Sequence, residues 1–270
     1  MVPTPSLADG LRIWEWPGDP PGGLLLHGIG NYGRYWDFFA DAIAGRLRLI
    51  APDARGHGES AKPAEDYGPA DFVADAVAVM DASDLARPVV VGHSMGGYHA
   101  TALALAHPKR VRALVLVDVG PRVEQAGASR ARWLSLERPD RFPDEAAALF
   151  YLKDTSPGYS DAVYDNRLEF AFRRYADGAV EWRSSKHALA KILDATEARP
   201  ATWDRLGEIA CPVLIVRGTR SPSLAAETAE QMRATLKNAR LIELDAGHNV
   251  ALDRPRQLAD AVLQFTREVA

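Results

Sequence analysis

Short apolar runs alternate with longer amphipathic stretches along this 270-residue chain, and that alternation restricts its fold more than any other feature. Leu24-Leu25-Leu26, Leu47 to Ala51, Val89 to Val91 and Ala113 to Val117 are each bounded by Gly, Pro or a charge, the pattern of buried strands. Between them, Tyr35 to Ala44, Pro69 to Asp81 and Gly96 to His107 are alanine-rich with helical periodicity. The same alternation returns at Val213 to Val216, Leu224 to Leu236, Leu241 to Leu244 and Pro255 to Val269. Strand followed by helix, repeated, predicts an α/β fold with a mostly parallel central sheet covered by helices on both faces. Residues 1–120 and 204–270 are expected to form that core together.

Between residues 121 and 203 the alternation stops. Helical stretches are expected around Ala126 to Glu137, Asp144 to Leu152 and Ser184 to Leu193, and Asp177-Gly178 is a candidate hairpin turn. About half of the chain's aromatic residues fall in this segment, under a third of its length. Such enrichment suits a helical lid over an apolar pocket, although a small subdomain also needs aromatic residues for its own core. Trp133 and Phe150 in this segment, with Arg34 and Trp36 near the N-terminus, are the candidates for substrate contact. Trp36 serves equally well as a helix anchor.

The strongest local signal is Gly92-His93-Ser94-Met95-Gly96, which follows one apolar run and opens a helix-compatible stretch. A serine on a sharp strand-to-helix turn is exposed, and glycines two residues before and after remove the side chains that would clash there. Taken alone, the pattern also fits an N-capping serine in a glycine-rich turn. An unactivated serine is a poor nucleophile and needs a base. His248, in Asp245-Ala246-Gly247-His248-Asn249 after the run Leu241 to Leu244, stands where one is expected. Two convergent N–H donors for an oxyanion are expected from Met95 and from Ile29 in His27-Gly28-Ile29-Gly30, with Gly30 the alternative to Ile29.

These landmarks, with Asp53-Ala54-Arg55-Gly56-His57-Gly58-Glu59-Ser60 between them, stand in an order that resembles the α/β-hydrolase superfamily. The resemblance covers nearly the whole chain apart from residues 121–203, and it implies that this insertion, after the sixth strand, is the cap. It also implies a serine hydrolase with no metal or organic cofactor. The acid departs from the commonest family pattern. The loop Arg217-Gly218-Thr219-Arg220-Ser221-Pro222, where relatives usually carry an Asp, has no carboxylate. Relatives resembling haloalkane dehalogenases place the acid directly after the sixth strand, which here is Asp118; Glu124 and Asp245 are the other candidates. Serine rather than aspartate at the nucleophile argues against dehalogenation itself.

Ser94, His248 and Asp118 as nucleophile, base and acid would hydrolyse a carboxylic ester or lactone. The rivals are carbon-carbon bond hydrolysis of a diketone-like substrate, acyl transfer, and a ligand-binding protein that has lost turnover. With 36 acidic and 32 basic residues the net charge is -4, which gives no basic excess for nucleic acid. No apolar run reaches the roughly 18 residues that span a bilayer, and no basic stretch leads Met1 to Gly10 into an apolar core. A cytoplasmic location and a small-molecule partner with an apolar acyl or ring group are therefore expected. Cys211 is the single cysteine, so no internal disulfide forms, and no chemistry is assigned to it.

Overall fold

The computed structural model describes residues 2–121, 124–197 and 203–269. The chain opens with an antiparallel hairpin, β1 (Thr4–Ala8) and β2 (Leu11–Trp16). Its two-residue turn, Asp9-Gly10, has φ of 48° and 77°, the hand that matches the twist of paired strands. Then follow β3 (Gly23–Leu26), α1 (Asp37–Ile43), β4 (Leu49–Pro52), α2 (Pro69–Ala82), β5 (Val89–His93), α3 (Met95–Ala106) and β6 (Ala113–Val117). After β6 come α4 (Gln125–Leu136), β7 (Arg141–Phe142), α5 (Glu145–Thr155), α6 (Asp161–Ala171), β8 (Phe172–Arg174), β9 (Val180–Trp182) and α7 (Lys186–Glu197). The chain closes with α8 (Trp203–Leu206), β10 (Val213–Gly218), α9 (Ala226–Thr235), β11 (Ala239–Leu244), α10 (Val250–Asp253) and α11 (Pro255–Glu268).

Eight strands form one sheet in the order β1-β2-β4-β3-β5-β6-β10-β11, parallel from β4 onward and antiparallel on either side of β2. Successive residues of a strand point to opposite faces, and the core divides accordingly. Val89, Val91, Val115 and Val117 pack with Phe39 and Ile43 of α1 and Leu258 and Val262 of α11. Val90, Leu114 and Leu116 pack with Val79 and Met80 of α2, Leu103 of α3 and Met232 of α9. Strands buried on both faces leave no room for polar residues, which is why they read as unbroken apolar runs. The apolar runs give no strand before residue 24, whereas the structure adds β1 and β2. Leu11, Ile13, Trp14 and Trp16 of β2 are buried, but the polar Arg12 and Glu15 between them break the run.

Between β6 and β10, β7, β9 and β8 form a separate three-stranded antiparallel sheet. Asp177-Gly178 turns its hairpin, with Gly178 at φ 86°. Phe142, Phe172 and Trp182 from this sheet cluster with Tyr151 of α5, the Phe172 and Trp182 ring centroids lying 4.1 Å apart. Among the described residues, no helix is long and apolar enough to cross a membrane.

Strand register sets the position of the site. His93 lies beside Val117 and Val117 beside Val216, so β5 and β6 finish level at their carboxyl ends while β10 runs on to Gly218. Ser94 and Asp118, each the residue after its strand, therefore emerge side by side at the edge where ligands bind in open parallel sheets.

Candidate active site

Ser94 occupies the turn between β5 and α3 with φ 51° and ψ -119°. A left-handed φ in a residue with a Cβ costs about 1–3 kcal/mol and persists only where the surroundings enforce it. The surroundings here are glycines. A Cβ on Gly92 would lie 2.5 Å from the Gly96 carbonyl oxygen, and one on Gly96 would lie 2.1 Å from the Leu26 carbonyl oxygen. Any larger residue at either position would push strand and helix apart and release the turn.

Asp118, likewise at a positive φ of 51°, is fully buried. Its Oδ1 accepts the Gly218 N–H at 3.0 Å. Its Oδ2 accepts from His248 Nδ1 at 2.7 Å and also from the Ser221 hydroxyl. The other two acids are elsewhere. Glu124 accepts from the Thr228 hydroxyl at 3.4 Å, and Asp245 pairs with Arg220 at 2.8 Å and Arg254 at 3.0 Å. With Nδ1–H given to Asp118, the neutral His248 ring keeps Nε2 as its basic nitrogen. The loop carrying His248 is tied down in turn, because Gly247 N–H donates to Asp253 Oδ2 at 2.6 Å and the His248 carbonyl accepts from Val250 N–H at 3.0 Å.

Ser94, Asp118 and His248 all line one cavity of about 610 Å³, together with Ile29 and Met95. Met95 is the first residue of α3, where a helix leaves its N–H groups without intrahelical partners. The His27 to Gly30 loop is braced by two buried histidines. Gly30 N–H donates to His57 Nε2 at 3.0 Å, and Ala54 N–H donates to His27 Nε2 at 2.9 Å. Each ring gives its Nδ1–H to a carbonyl, that of Arg55 for His57 and that of Gly28 for His27. Burial holds both imidazoles below the usual histidine range, His57 well below it, so both remain neutral acceptors. The Gly30 N–H is thereby committed to His57 and is not offered to a ligand.

The four side chains picked from the sequence for substrate contact are not on the cavity wall. Arg34 is held by Asp37 at 2.8 Å and lies 4.0 Å from the Phe170 ring centroid. Trp36 is fully buried between Tyr35 and Phe39. Trp133 and Phe150 project to solvent, 46% and 75% exposed. Helix phase explains the miss at Trp133, because Arg130, Ala131 and Leu134 present the cavity-lining side of α4. Within segment 121–203, Phe142, Tyr151, Phe172 and Trp182 pack on one another and Phe170 packs on Trp14 and Tyr32, and Tyr159 is the aromatic of that segment that lines the cavity among the described residues. Its hydroxyl accepts from Asn249 Nδ2 at 3.1 Å. Sequence reasoning also passed over Arg130, Arg132 and Arg220, three cations on the wall whose spacing carries no motif. Cys211 is buried under the sheet, which pushes its thiol up to about 11.

A sequence profile of the α/β hydrolase fold matches residues 24–255. The chain belongs to the α/β-hydrolase family. This α/β hydrolase is 31% identical to the 3-hydroxybutyrate-oligomer hydrolase of Cupriavidus necator, over 97% of this chain and 95% of that protein. It is 27% identical to the 2-(acetamidomethylene)succinate hydrolase of Mesorhizobium japonicum, over 77% of this chain and 74% of that one. The crystal structure of an E-2-(acetamidomethylene)succinate hydrolase superposes with a TM-score of 0.89, covering 98% of this chain and 99% of that one at 24% identity. That last likeness is one of fold.

Proposed function

We propose that this α/β hydrolase is a serine hydrolase of carboxylic esters or lactones, with Ser94, His248 and Asp118 as its catalytic residues. The observation that carries the reading is the 2.7 Å contact between His248 Nδ1 and Asp118 Oδ2, on a histidine that opens into the same cavity as the strained Ser94. Ser94 Oγ attacks the carbonyl carbon while His248 Nε2 takes its proton. The tetrahedral oxyanion is held by the N–H groups of Ile29 and Met95, each such donor being worth roughly 3 kcal/mol in a preorganised site. His248 then returns the proton to the leaving alcohol, and the acyl group stays on Ser94. Water, activated by the same imidazole, releases the acid. Asp118 fixes the Nδ1–H tautomer and stabilises the imidazolium that forms in each half-reaction. Residues 121–203 act as the cap that closes the cavity and excludes bulk water.

Relatives named for hydrolysis of 3-hydroxybutyrate oligomers and of 2-(acetamidomethylene)succinate support hydrolysis as the reaction class. Stopped-flow release of p-nitrophenol from p-nitrophenyl butyrate tests the assignment. An initial burst stoichiometric with enzyme, absent in Ser94→Ala, is the expected result for an acyl-enzyme route. Turnover of a ring-cleavage diketone with none of any ester would move the reaction to carbon-carbon bond hydrolysis.

A further inference from the structure

The charges on the cavity wall are one-sided. Arg130 and Arg132 reach it from α4 and Arg220 reaches it from the loop after β10, while Asp118 is the single carboxylate lining it among the described residues. Asp118 offers no counterion to a guanidinium there, because it is fully buried and both its oxygens are taken by Gly218, Ser221 and His248.

The three arginines are not equally committed. Arg132 lies 3.5 Å from Asp194 and Arg220 lies 2.8 Å from Asp245, and these acids are 64% and 71% exposed. Neither acid lines the cavity, and Asp245 is shared with Arg254. Exposed pairs of this kind are worth little and exchange readily. Arg130 differs. It donates one N–H to the Thr155 carbonyl oxygen, and no carboxylate pairs with it among the described residues. Its remaining guanidinium donors, in a fork that matches a carboxylate, belong to a side chain on the cavity wall. Leu134, Ile192 and Leu193 supply apolar surface on the same wall.

We propose that the substrate carries a carboxylate in addition to its scissile carbonyl, and that Arg130 binds it, with Arg132 and Arg220 adding to the positive field. Arg130 is the member of the three that holds no carboxylate among the described residues, so one guanidinium fork is left to take the two oxygens of one carboxylate. The apolar surface takes the methylene chain between the two groups, so the substrate class is the half-ester of a short dicarboxylic acid. The inference rests on the hydrolase reading above and narrows it.

The test compares mono-p-nitrophenyl adipate with p-nitrophenyl hexanoate, which share chain length and leaving group and differ in the terminal charge. The expected result is a kcat/KM at least about tenfold higher for the adipate half-ester, lying mainly in KM and shrinking in 0.5 M salt as the arginine field is screened. In Arg130→Gln the ratio of the two kcat/KM values falls toward one. Equal values in the wild type, or a preference that survives Arg130→Gln, overturns the assignment. If neither ester turns over, the hydrolase reading fails first, and calorimetry on Ser94→Ala judges the site separately. Adipate binding that weakens with salt and with Arg130→Gln upholds the carboxylate site; no binding at millimolar adipate, or binding of inorganic phosphate in its place, overturns it.

Discussion

The imidazole of His93 donates from Nε2 to the main-chain carbonyl oxygen of His248 at 2.9 Å, joining the residue before the strained serine to the histidine that lines the same cavity. The two rings lie 4.7 Å apart, and on its other side His93 stacks on Tyr35 at 5.3 Å. Burial drives His93 well below the usual histidine range, so it stays a neutral donor. His93→Phe keeps the stacked ring and removes the donor. One such bond is worth about 1 kcal/mol, so kcat is expected to fall about fivefold with little change in KM. Steady-state hydrolysis of p-nitrophenyl butyrate measures this, and unchanged kcat would show that the Val250 N–H alone positions the His248 carbonyl.

Asp118→Asn should leave the fold intact and lower kcat/KM by about 10³- to 10⁴-fold, because an amide presents one acceptor oxygen and its NH₂ favours the wrong imidazole tautomer. Glu124→Gln, which touches Thr228 and not His248, is expected to retain wild-type turnover. Parallel kinetics on the two purified variants check both statements. Comparable losses in the two would place the acid elsewhere.

The alternating apolar runs made the parallel core legible, because strands buried on both faces cannot carry polar residues. They could not reveal β2, where Arg12 and Glu15 interrupt the buried Leu11, Ile13, Trp14 and Trp16. The Asp9-Gly10 dipeptide held the missing signal for that hairpin. At the candidate site, Ser94 stood out because the close approaches at Gly92 and Gly96 enforce its turn, and His248 and Asp118 because each lies just beyond a strand. Which side chains line the cavity was not readable: Trp133 and Leu134 are adjacent in sequence, yet one faces solvent and the other the cavity. His93 was passed over because its partner is a backbone carbonyl 155 residues away, a contact only the assembled sheet creates.

Three buried histidines set the acid limb of stability. His27, His57 and His93 are held below the usual histidine value of 6.5 by burial, so the unfolded chain binds protons that the native chain refuses. Stability therefore rises with pH across that window: it is fully present above pH 6.5 and is lost progressively as pH falls below it. Calorimetric Tm should drop steeply from pH 6.5 toward pH 5, and His57→Gln, which retains an acceptor for Gly30 N–H, should flatten the slope. A Tm independent of pH in that range would contradict the assignment of neutral buried rings.

Asp53 is the structural counterpart of Asp118. Its carboxylate accepts from Gly33 N–H at 2.6 Å, Glu59 N–H at 2.7 Å and Trp14 Nε1 at 3.1 Å, tying β2 and the loops after β3 and β4 together. Asp53→Ala strands these donors in a buried site and should destabilise the protein by about 3 kcal/mol. Denaturant unfolding reads this directly, and a loss below about 1 kcal/mol would show that water satisfies them.

The proposed mechanism stands or falls on Ser94 being a nucleophile activated by His248. Intact-mass labelling with a fluorophosphonate, followed by peptide mapping, tests it most directly. One adduct per chain is expected, located on Ser94, absent in Ser94→Ala and formed far more slowly in His248→Ala and Asp118→Asn. A folded wild-type chain that takes no adduct, or one labelled on any other residue, would contradict it.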